Sequence, residues 1–139
     1  MNLSEEFQSI RNWAIERNLY EKGDLKTQLT KLMEEHGELA QSILKNDRNK
    51  FIDSIGDMVV VLTNLAEIGN ILFSKTCTTC HGLAGHWEDV AGDGGPQQFI
   101  SCECQFGIEE CINAAYDEIK NRTGKMVNGT FVKDQPTGL

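Results

Sequence analysis

The segment from Phe51 to Leu62 most strongly constrains how this chain can fold. It reads Phe-Ile-Asp-Ser-Ile-Gly-Asp-Met-Val-Val-Val-Leu, so two aspartates interrupt a run that is otherwise almost wholly apolar. A helix that is apolar on nearly every side is usually buried, and an unpaired carboxylate in such a place is costly. The segment therefore predicts a buried helix in which the carboxylates of Asp53 and Asp57 have a specific partner.

A second acidic cluster, formed by Glu34, Glu35 and Glu38, lies on the preceding predicted helix. Residues three and four apart share a helix face, so Glu35 and Glu38 point together, as do Asp53 and Asp57. A hard cation held between the two helices would neutralise these groups, because Mg²⁺ prefers oxygen ligands. The pattern favours a magnesium site and phosphate chemistry. A solvated acidic face stays open as the alternative, above all for Glu34.

Composition limits the class of protein. The 139 residues carry a net charge of −8, which argues against a protein that coats nucleic acid with excess Lys and Arg. The first residues contain no basic segment followed by an apolar run, so we expect no signal peptide. No apolar run approaches about 18 residues, so we expect no membrane span. A cytoplasmic location is the default expectation, and a chain of this length gains stability from oligomerisation.

Helical periodicity appears in four stretches of the chain. The predicted helices cover residues 4–18, 27–45, 50–69 and 108–119. A turn is expected at residues 21–24, and Asn128-Gly129 between two short β-prone runs predicts a β-hairpin. On the second helix, an apolar stripe is expected to face the core: Leu29, Leu32, Met33, His36, Leu39, Ala40, Ile43 and Leu44.

Residues 74–105 differ from the rest of the chain. They are rich in glycine, lack helical periodicity and contain four of the five cysteines. These cysteines form a C-x-x-C pair and a C-x-C pair: Cys77, Cys80, Cys102 and Cys104. Two such pairs can converge on a tetrahedral Zn²⁺, which would order a segment with too few apolar residues for its own core. The pattern favours structural zinc over free thiols, with His81 or His86 as a possible substitute for one cysteine.

The two acidic helices resemble the MazG-like nucleoside triphosphate pyrophosphohydrolases of the all-α superfamily. The resemblance rests on Leu-Thr-Lys-Leu-Met-Glu-Glu-His-Gly-Glu-Leu-Ala at 29–40 and on Ile-Gly-Asp at 55–57, and it extends to the first helix and to 111–133. It implies one MazG-like helical domain over 1–139, an all-α antiparallel bundle completed by oligomerisation, as a dimer or a dimer of dimers. Residues 74–105 then form a zinc-binding insertion, because the family pattern has only a short connection there.

The resemblance also implies an activity. Family members use the motifs Glu-Glu-x-x-Glu and Glu-x-x-Asp to hold Mg²⁺ against a nucleoside triphosphate, which they cleave to the monophosphate and pyrophosphate. By position, the implied catalytic residues are Glu34, Glu35, Glu38 and Asp57, and the last three are the implied Mg²⁺ ligands. Either Glu35 or Glu38 could act as the base that accepts a proton from water.

One position departs from the family pattern. The Glu of the second motif falls on Ser54 in this chain. Asp53, one turn before Asp57 on the same face, could supply the missing carboxylate as a further Mg²⁺ ligand. Without that replacement, the site would have fewer ligands and could hold fewer ions.

Basic and aromatic residues are the candidate substrate contacts. Lys31 shares the acidic stripe and is interpreted as a phosphate contact, with an ordinary surface lysine as the alternative. Lys120, Arg122 and Lys125 lie near the end of the last predicted helix, where charge complementation of the helix end is the simple explanation. The resemblance favours phosphate binding for these three. Trp13 could stack on a base, and a core position is an equal alternative.

A second class of function also fits the sequence. The chain could be a zinc-module adaptor whose helical body has lost catalysis and now binds a protein or nucleic acid. Ser54 and the insertion favour the adaptor. The retained carboxylates and basic residues favour the Mg²⁺-dependent enzyme, whose preference for base and sugar the sequence leaves open.

Overall fold

The computed structural model describes residues 3–83, 85–89 and 97–134. The helices are α1 (Leu3–Glu16), α2 (Leu19–Lys22), α3 (Leu25–Leu44), α4 (Arg48–Ser74) and α5 (Ile108–Ile119). The strands are β1 (Gly85–Asp89), β2 (Gln97–Ser101), β3 (Gly124–Val127) and β4 (Thr130–Lys133), paired antiparallel as β1-β2 and β3-β4. The chain divides into two compact units, Met1–Ile108 and Glu109–Leu139. Each unit is described by itself.

The helical hairpin of α3 and α4 is the centre of the first unit. Asp24 caps α3, because its Oδ1 accepts hydrogen bonds from the backbone N–H groups of Lys26 and Thr27 at 2.9 and 3.0 Å. Asp47 caps α4 in the same way and accepts from the N–H of Lys50 at 3.0 Å. Such caps satisfy N–H groups that have no partner inside the helix. Both caps fix where the two helices begin, and hence the register of their acidic residues.

The prediction for the core face of α3 is wrong for the single chain. Four residues of the predicted core stripe are more than half exposed: Leu29, Met33, Ile43 and Leu44. The residues of α3 that are buried are Glu35 and Ser42. Small polar side chains on α4, among them Ser54 and Thr63, are fully buried. The hairpin is therefore built around small and polar groups, and the apolar stripe is left on the surface.

Several predicted boundaries also shift. The first helix is divided into α1 and the short α2, and α2 includes half of the turn predicted at 21–24. Helix α4 continues to Ser74 rather than ending near 69. The β1-β2 hairpin within the insertion had not been predicted. Its aromatic pair, Trp87 and Phe99, faces across the strands with ring centroids 5.3 Å apart, and such cross-strand pairs stabilise a hairpin.

In the second unit, α5 and the β3-β4 hairpin confirm the sequence prediction. The turn residues Asn128 and Gly129 both have positive φ, of 48° and 78°. Positive φ at both central positions is the requirement of a type I′ turn, which explains the Asn-Gly signal.

Helix α4 is long and apolar enough, by length and composition, to cross a membrane, a test that the core helix of a soluble protein also passes. Here α4 packs along α3 and also contacts α1 and α2. Its residues Ser54, Thr63 and Asn64 are buried by these neighbours. These contacts bury part of α4, while apolar residues such as Phe51, Ile52 and Ile55 stay exposed, so the sequence prediction of a buried helix holds only in part.

Candidate active site and cysteine cluster

Glu35 is the buried carboxylate of the acidic cluster on α3. Only 5% of its surface is exposed. Its Oε1 accepts a hydrogen bond from Nζ of Lys31 at 2.7 Å, whereas its Oε2 is buried without any hydrogen-bond partner. Buried polar atoms in folded proteins nearly always have a partner, and an exception points to an ion or water that belongs there. This orphaned oxygen fits a cation ligand.

Asp57, on α4, experiences the same acidic environment. Burial raises the pKa of Asp57, and the charges of Asp53, Glu35 and Glu38 raise it further, while Lys50 opposes them. Carboxylates from two helices therefore repel one another at this place. A divalent cation would remove the repulsion and favour the ionised form of each carboxyl group. The donor set fits Mg²⁺, which is bound by oxygen ligands.

Lys50 is a residue of the site that the sequence analysis missed. Its Nζ contacts Oε2 of Glu38 and lies 3.4 Å from Oδ2 of Asp53. The hydrogen bond from Lys50 lowers the pKa of Glu38. Its position three residues before Asp53 on one helix was the available signal. Lys50 thus bridges a carboxylate of α3 and a carboxylate of α4, as a metal ion between the helices would.

The remaining motif positions have different surroundings. Glu34 is exposed, and its Oε2 lies 3.2 Å from Nζ of Lys31. Ser54, at the position of the family's Glu, is fully buried, and its Oγ has no hydrogen-bond partner. Asp53 is exposed and contacts Lys50. The hydroxyl of Ser54 supplies no charge, so replacement of the missing carboxylate by Asp53 stays a prediction.

A cavity of about 450 Å³ brings several predicted residues together. Its lining combines residues from the N-terminal helices with the facing stripes of α3 and α4, including Trp13, Lys31, Glu35, Asp57, Val60 and Asn64. The guanidinium of Arg17 lies 4.5 Å from the ring centroid of Trp13, which is 45% exposed. Trp13 is thus not a core tryptophan. The volume is within the range of small-molecule sites, and carboxylates, a cation and an aromatic ring all reach it.

Three predicted phosphate contacts lie in the second unit. Nζ of Lys120 is 2.7 Å from Oδ1 of Asp117, and Arg122 contacts Glu118 at the same distance. Lys125 lies on β3 and is exposed. Exposed ion pairs contribute little free energy, so these cations can change partners easily. Their role toward phosphate stays a prediction.

The four cysteines of the insertion converge on one place. Their Sγ atoms all lie within 4.8 Å of one another, and among the described residues they form the one group of three or more potential metal-ligand atoms that is this close. The distance is 3.7 Å between the sulfurs of Cys77 and Cys102 and 3.5 Å between those of Cys80 and Cys104. Sulfurs of a tetrahedral zinc thiolate site are about 3.8 Å apart. The cluster therefore fits zinc.

The protonation of the cysteines supports this fit. Backbone N–H groups of Cys80 and Thr79 donate to the Cys77 sulfur and lower the pKa of that thiol to about 6. The amide of Gln105 lowers the pKa of Cys104, but burial and the neighbouring thiols outweigh it and raise that pKa to about 12. Four adjacent thiols thus do not ionise together unless a cation compensates their charge. Neither histidine is needed, and His86 pairs instead with Glu88 at 2.7 Å.

Hydrogen bonds attach the cysteine cluster to α4. Nδ2 of Asn70 donates to Oε1 of Gln105 at 3.1 Å, and Oδ1 of Asn70 accepts from the N–H of Phe106 at 3.1 Å. Gln105 in turn donates to Sγ of Cys104 at 3.3 Å. The ring of Phe106 lies 6.4 Å from that of Phe73 on α4. These contacts join residues far apart in sequence, so no local pattern could reveal them.

A helical hairpin that gathers carboxylates and lysines beside a cavity defines the class of this domain as a helical one with an acidic cleft. Residues 24–81, which include α3 and α4, match the MazG nucleotide pyrophosphohydrolase domain. Over 70 residues the chain is 41% identical to an uncharacterized 18.2 kDa protein in the rep-hol intergenic region of Haemophilus phage HP1 (strain HP1c1). The aligned part is 50% of this chain and 43% of that phage protein. No solved structure is significantly similar to the chain.

Proposed function

We propose that this protein is an Mg²⁺-dependent pyrophosphohydrolase that cleaves a (deoxy)nucleoside triphosphate to the monophosphate and pyrophosphate. The observation that carries the proposal is Glu35, whose buried Oε2 has no partner and whose cavity is also lined by Asp57 and Lys31. The match of residues 24–81 to the MazG nucleotide pyrophosphohydrolase domain supports this class of reaction. The proposal places the enzyme in the cytoplasm, where its nucleotide substrates are found.

Carboxylates of both helices would hold the metal: Glu38, Asp53 and Asp57, with Glu35 beside them. When bound, Mg²⁺ neutralises phosphate oxygens and lowers the pKa of a coordinated water. Lys31 donates to a phosphate oxygen in a charge-assisted hydrogen bond. Its exposed pair with Glu34 can open for this purpose at little cost, so Glu34 holds Lys31 in position before the substrate binds.

Glu35 is the favoured base for the attacking water. Lys50 lowers the pKa of Glu38 and so makes that carboxylate a weaker base. Oε2 of Glu35, by contrast, has no hydrogen-bond partner that competes for its lone pairs. A base must be within hydrogen-bond reach of the water whose proton it accepts. We therefore assign proton transfer to Glu35, and metal binding to Glu38, Asp53 and Asp57.

The other predicted substrate contacts complete the proposal. Trp13 stacks on the nucleobase, because its exposed ring lines the same cavity as the carboxylates. Lys120, Arg122 and Lys125 bind phosphate oxygens, in keeping with their exposed ion pairs, which are easily exchanged. The chain 1–139 then acts as one MazG-like domain with the insertion 74–105.

We also propose one structural Zn²⁺ per chain, bound by the four clustered cysteines: Cys77, Cys80, Cys102 and Cys104. Four thiolates leave no open coordination position, so this ion takes no part in the reaction. Soft sulfur ligands and hard carboxylate ligands select different metals, which keeps the two sites chemically separate.

A homo-oligomer, a dimer or a dimer of dimers, is part of the proposal. The exposed apolar stripe on α3 includes Leu29, Met33 and Ile43, and α4 also exposes Ile52 and Ile55. Exposed apolar surface on this scale is typical of a protein interface. A second copy of the same hairpin would cover it and complete the helix bundle.

The adaptor alternative receives less support from the site. A helical body retained only for binding would not need a buried carboxylate oxygen without a partner, because such an atom destabilises the fold. Ser54 remains the observation in favour of lost catalysis. A turnover measurement decides between the two functions.

The test is the release of pyrophosphate from a panel of (deoxy)nucleoside triphosphates in the presence of Mg²⁺. The purified protein should convert at least one of them to its monophosphate. Glu38→Gln should abolish turnover and leave the fold intact, because it removes a charge at nearly constant volume. Glu16→Gln, an exposed change on α1, is the matched control. Undiminished turnover by Glu38→Gln would overturn the assignment.

A further inference from the structure

Asn64 is a buried amide on the wall of the cavity that the proposed mechanism does not use. It lies on α4, only 2% of its surface is exposed, and it lines the cavity together with Asp57. Oδ1 of Asn64 accepts a hydrogen bond from the hydroxyl of Tyr20 at 2.9 Å. A carboxamide also carries two N–H donors on its other side. Because Oδ1 already accepts from Tyr20, the amide nitrogen is the group that can donate to a ligand.

Neighbouring residues keep this orientation fixed. Burial raises the pKa of Tyr20 to about 12, with a further contribution from Glu67 and an opposing one from Arg11. The hydroxyl of Tyr20 is therefore protonated, and able to donate, throughout the neutral range. Glu67 is itself held by Arg11, whose Nε lies 2.6 Å from Oε1 of Glu67. The hydrogen bond from Tyr20 is the contact that directs this amide, and Arg11 and Glu67 set the charge around Tyr20.

The place of Asn64 in the cavity suits the base of a nucleotide. Asn64 follows Asp57 by seven residues, which is two helical turns and about 10 Å along the axis of α4. In an extended nucleoside triphosphate, the base lies at a comparable distance from the phosphates that react. The cavity wall near Asn64 includes Leu19, Val60 and Val61, and apolar side chains of this kind suit the faces of a flat ring.

We propose that Asn64 selects the base of the substrate by donating its amide N–H to a carbonyl oxygen on the edge of the base away from the sugar. This is O4 of uracil or thymine and O6 of guanine. Cytosine and adenine carry an amino group at the same position, which would face the amide as donor to donor. The inference rests on the proposed function, because the ligand is the nucleotide of that same site. Tyr20 is then a positioning residue that keeps the donor side of Asn64 toward the base.

The experiment compares kcat/KM for two matched pairs, dUTP with dCTP and dGTP with dATP, in Mg²⁺. The members of each pair differ in a carbonyl or an amino group at the edge that Asn64 is proposed to recognise and in the protonation of the ring nitrogen beside it, and guanine carries a further amino group. The kcat/KM of the wild-type protein should be about tenfold or more higher for the carbonyl member of its preferred pair. This is the ratio expected when one nucleotide accepts the hydrogen bond and the other leaves the buried donor unpaired.

Two variants and one control test the roles of the residues. Asn64→Asp replaces a donor by an acceptor and should reverse the preference toward the amino-bearing nucleotide. Tyr20→Phe releases the amide, so the preference should fall several-fold, mainly through KM, with kcat nearly unchanged. Tyr116→Phe, an exposed tyrosine on α5, should leave the preference unchanged. Thermal unfolding of each variant establishes that it is folded.

The outcomes are distinct. Turnover by the wild-type protein with equal kcat/KM within both pairs would overturn the inference and leave the proposed function standing. An unchanged preference in folded Tyr20→Phe would overturn it as well, even if Asn64→Asp fails to fold. Absence of turnover for every nucleotide would overturn the proposed function and this inference together.

Discussion

Nζ of Lys31 lies 2.7 Å from Oε1 of Glu35 and 3.2 Å from Oε2 of Glu34, so one ammonium group joins a buried carboxylate to an exposed one. These contacts raise the pKa of Lys31, which therefore stays charged at neutral pH. A phosphate that approaches through the cavity competes with Glu34 for this lysine more easily than with Glu35. The two neighbouring glutamates are thus unequal in burial and in their distance from Lys31.

The first prediction concerns that inequality. Glu35→Gln should lower kcat/KM by about hundredfold or more, the usual contribution of a general base. Glu34→Gln should lower it far less, because its carboxylate only orients Lys31 from the solvent side. Steady-state pyrophosphate release by both variants measures the difference. Equal losses in the two variants would contradict the assignment of the base to Glu35.

The second prediction concerns competition between Lys50 and the metal. Lys50→Met should lower the Mg²⁺ concentration that gives half-maximal activity, because Glu38 and Asp53 lose their ammonium partner. Asp53→Asn should raise that concentration if Asp53 replaces the carboxylate missing at Ser54. Titration of activity with Mg²⁺ measures both shifts, with Lys45→Met as the exposed control. An unchanged Mg²⁺ dependence in Asp53→Asn would show that Asp53 is not a ligand.

The third prediction follows from the raised pKa of Asp57. The carboxyl group of Asp57 holds its proton more tightly in the folded protein than in the unfolded chain, where its pKa is 3.8. Without added Mg²⁺, the free energy of unfolding should therefore fall as pH rises from that value through the raised pKa. Asp57→Asn should flatten this dependence, raise the melting temperature at neutral pH by a few degrees and abolish turnover. A variant that melts below the wild type at neutral pH would contradict the argument.

The fourth prediction concerns zinc. Protein purified without chelators should contain one Zn²⁺ per chain, and its removal should increase hydrogen exchange in β1 and β2 while α3 and α4 stay protected. Cys102→Ser should lose the zinc, whereas Cys111→Ser, outside the cluster, should keep it. Removal of Mg²⁺ should stop turnover and leave the insertion folded. Elemental analysis that finds no zinc would refute the site.

The fifth prediction tests the apolar stripe of α3. Met33→Glu should shift the protein toward the monomer, because a charge in an apolar interface loses its hydration. Gln41→Glu, an exposed change on the same helix, should leave assembly unaltered. Sedimentation at micromolar protein measures the mass of both variants. A wild-type protein that is monomeric and fully active would count against the oligomer.

Local features of this molecule could be predicted from the sequence, and contacts between distant segments could not. The turn at Asn128-Gly129 depends on the φ preferences of two residues, so it was predicted correctly. Which face of α3 is buried depends on the surface that covers it. Periodicity alone predicted that the apolar stripe is buried, whereas the structure buries Glu35. Tyr20 and Asn64 are 44 residues apart, so their contact follows from helix packing that no spacing rule describes.

The same limit applies to the acidic site. Glu35 and Asp57 could be predicted as members of one site, because their motifs are recognisable on each helix. The bridge that Lys50 makes to Glu38 requires the crossing of α3 and α4 to be known. The cysteines were found from spacing, but their attachment to α4 through Asn70 was not.

The sulfur pairs also have a consequence for chain topology. Cys77 and Cys80 follow directly after α4, and Cys102 and Cys104 precede α5, so the chain returns to the point from which it left. The stretch between Cys80 and Cys102 is a closed loop whose length does not alter the separation of its ends. The entropy of closing such a loop changes only slowly with its length. A gene encoding this protein could therefore gain or lose many residues there without disturbing the helices that carry the carboxylates.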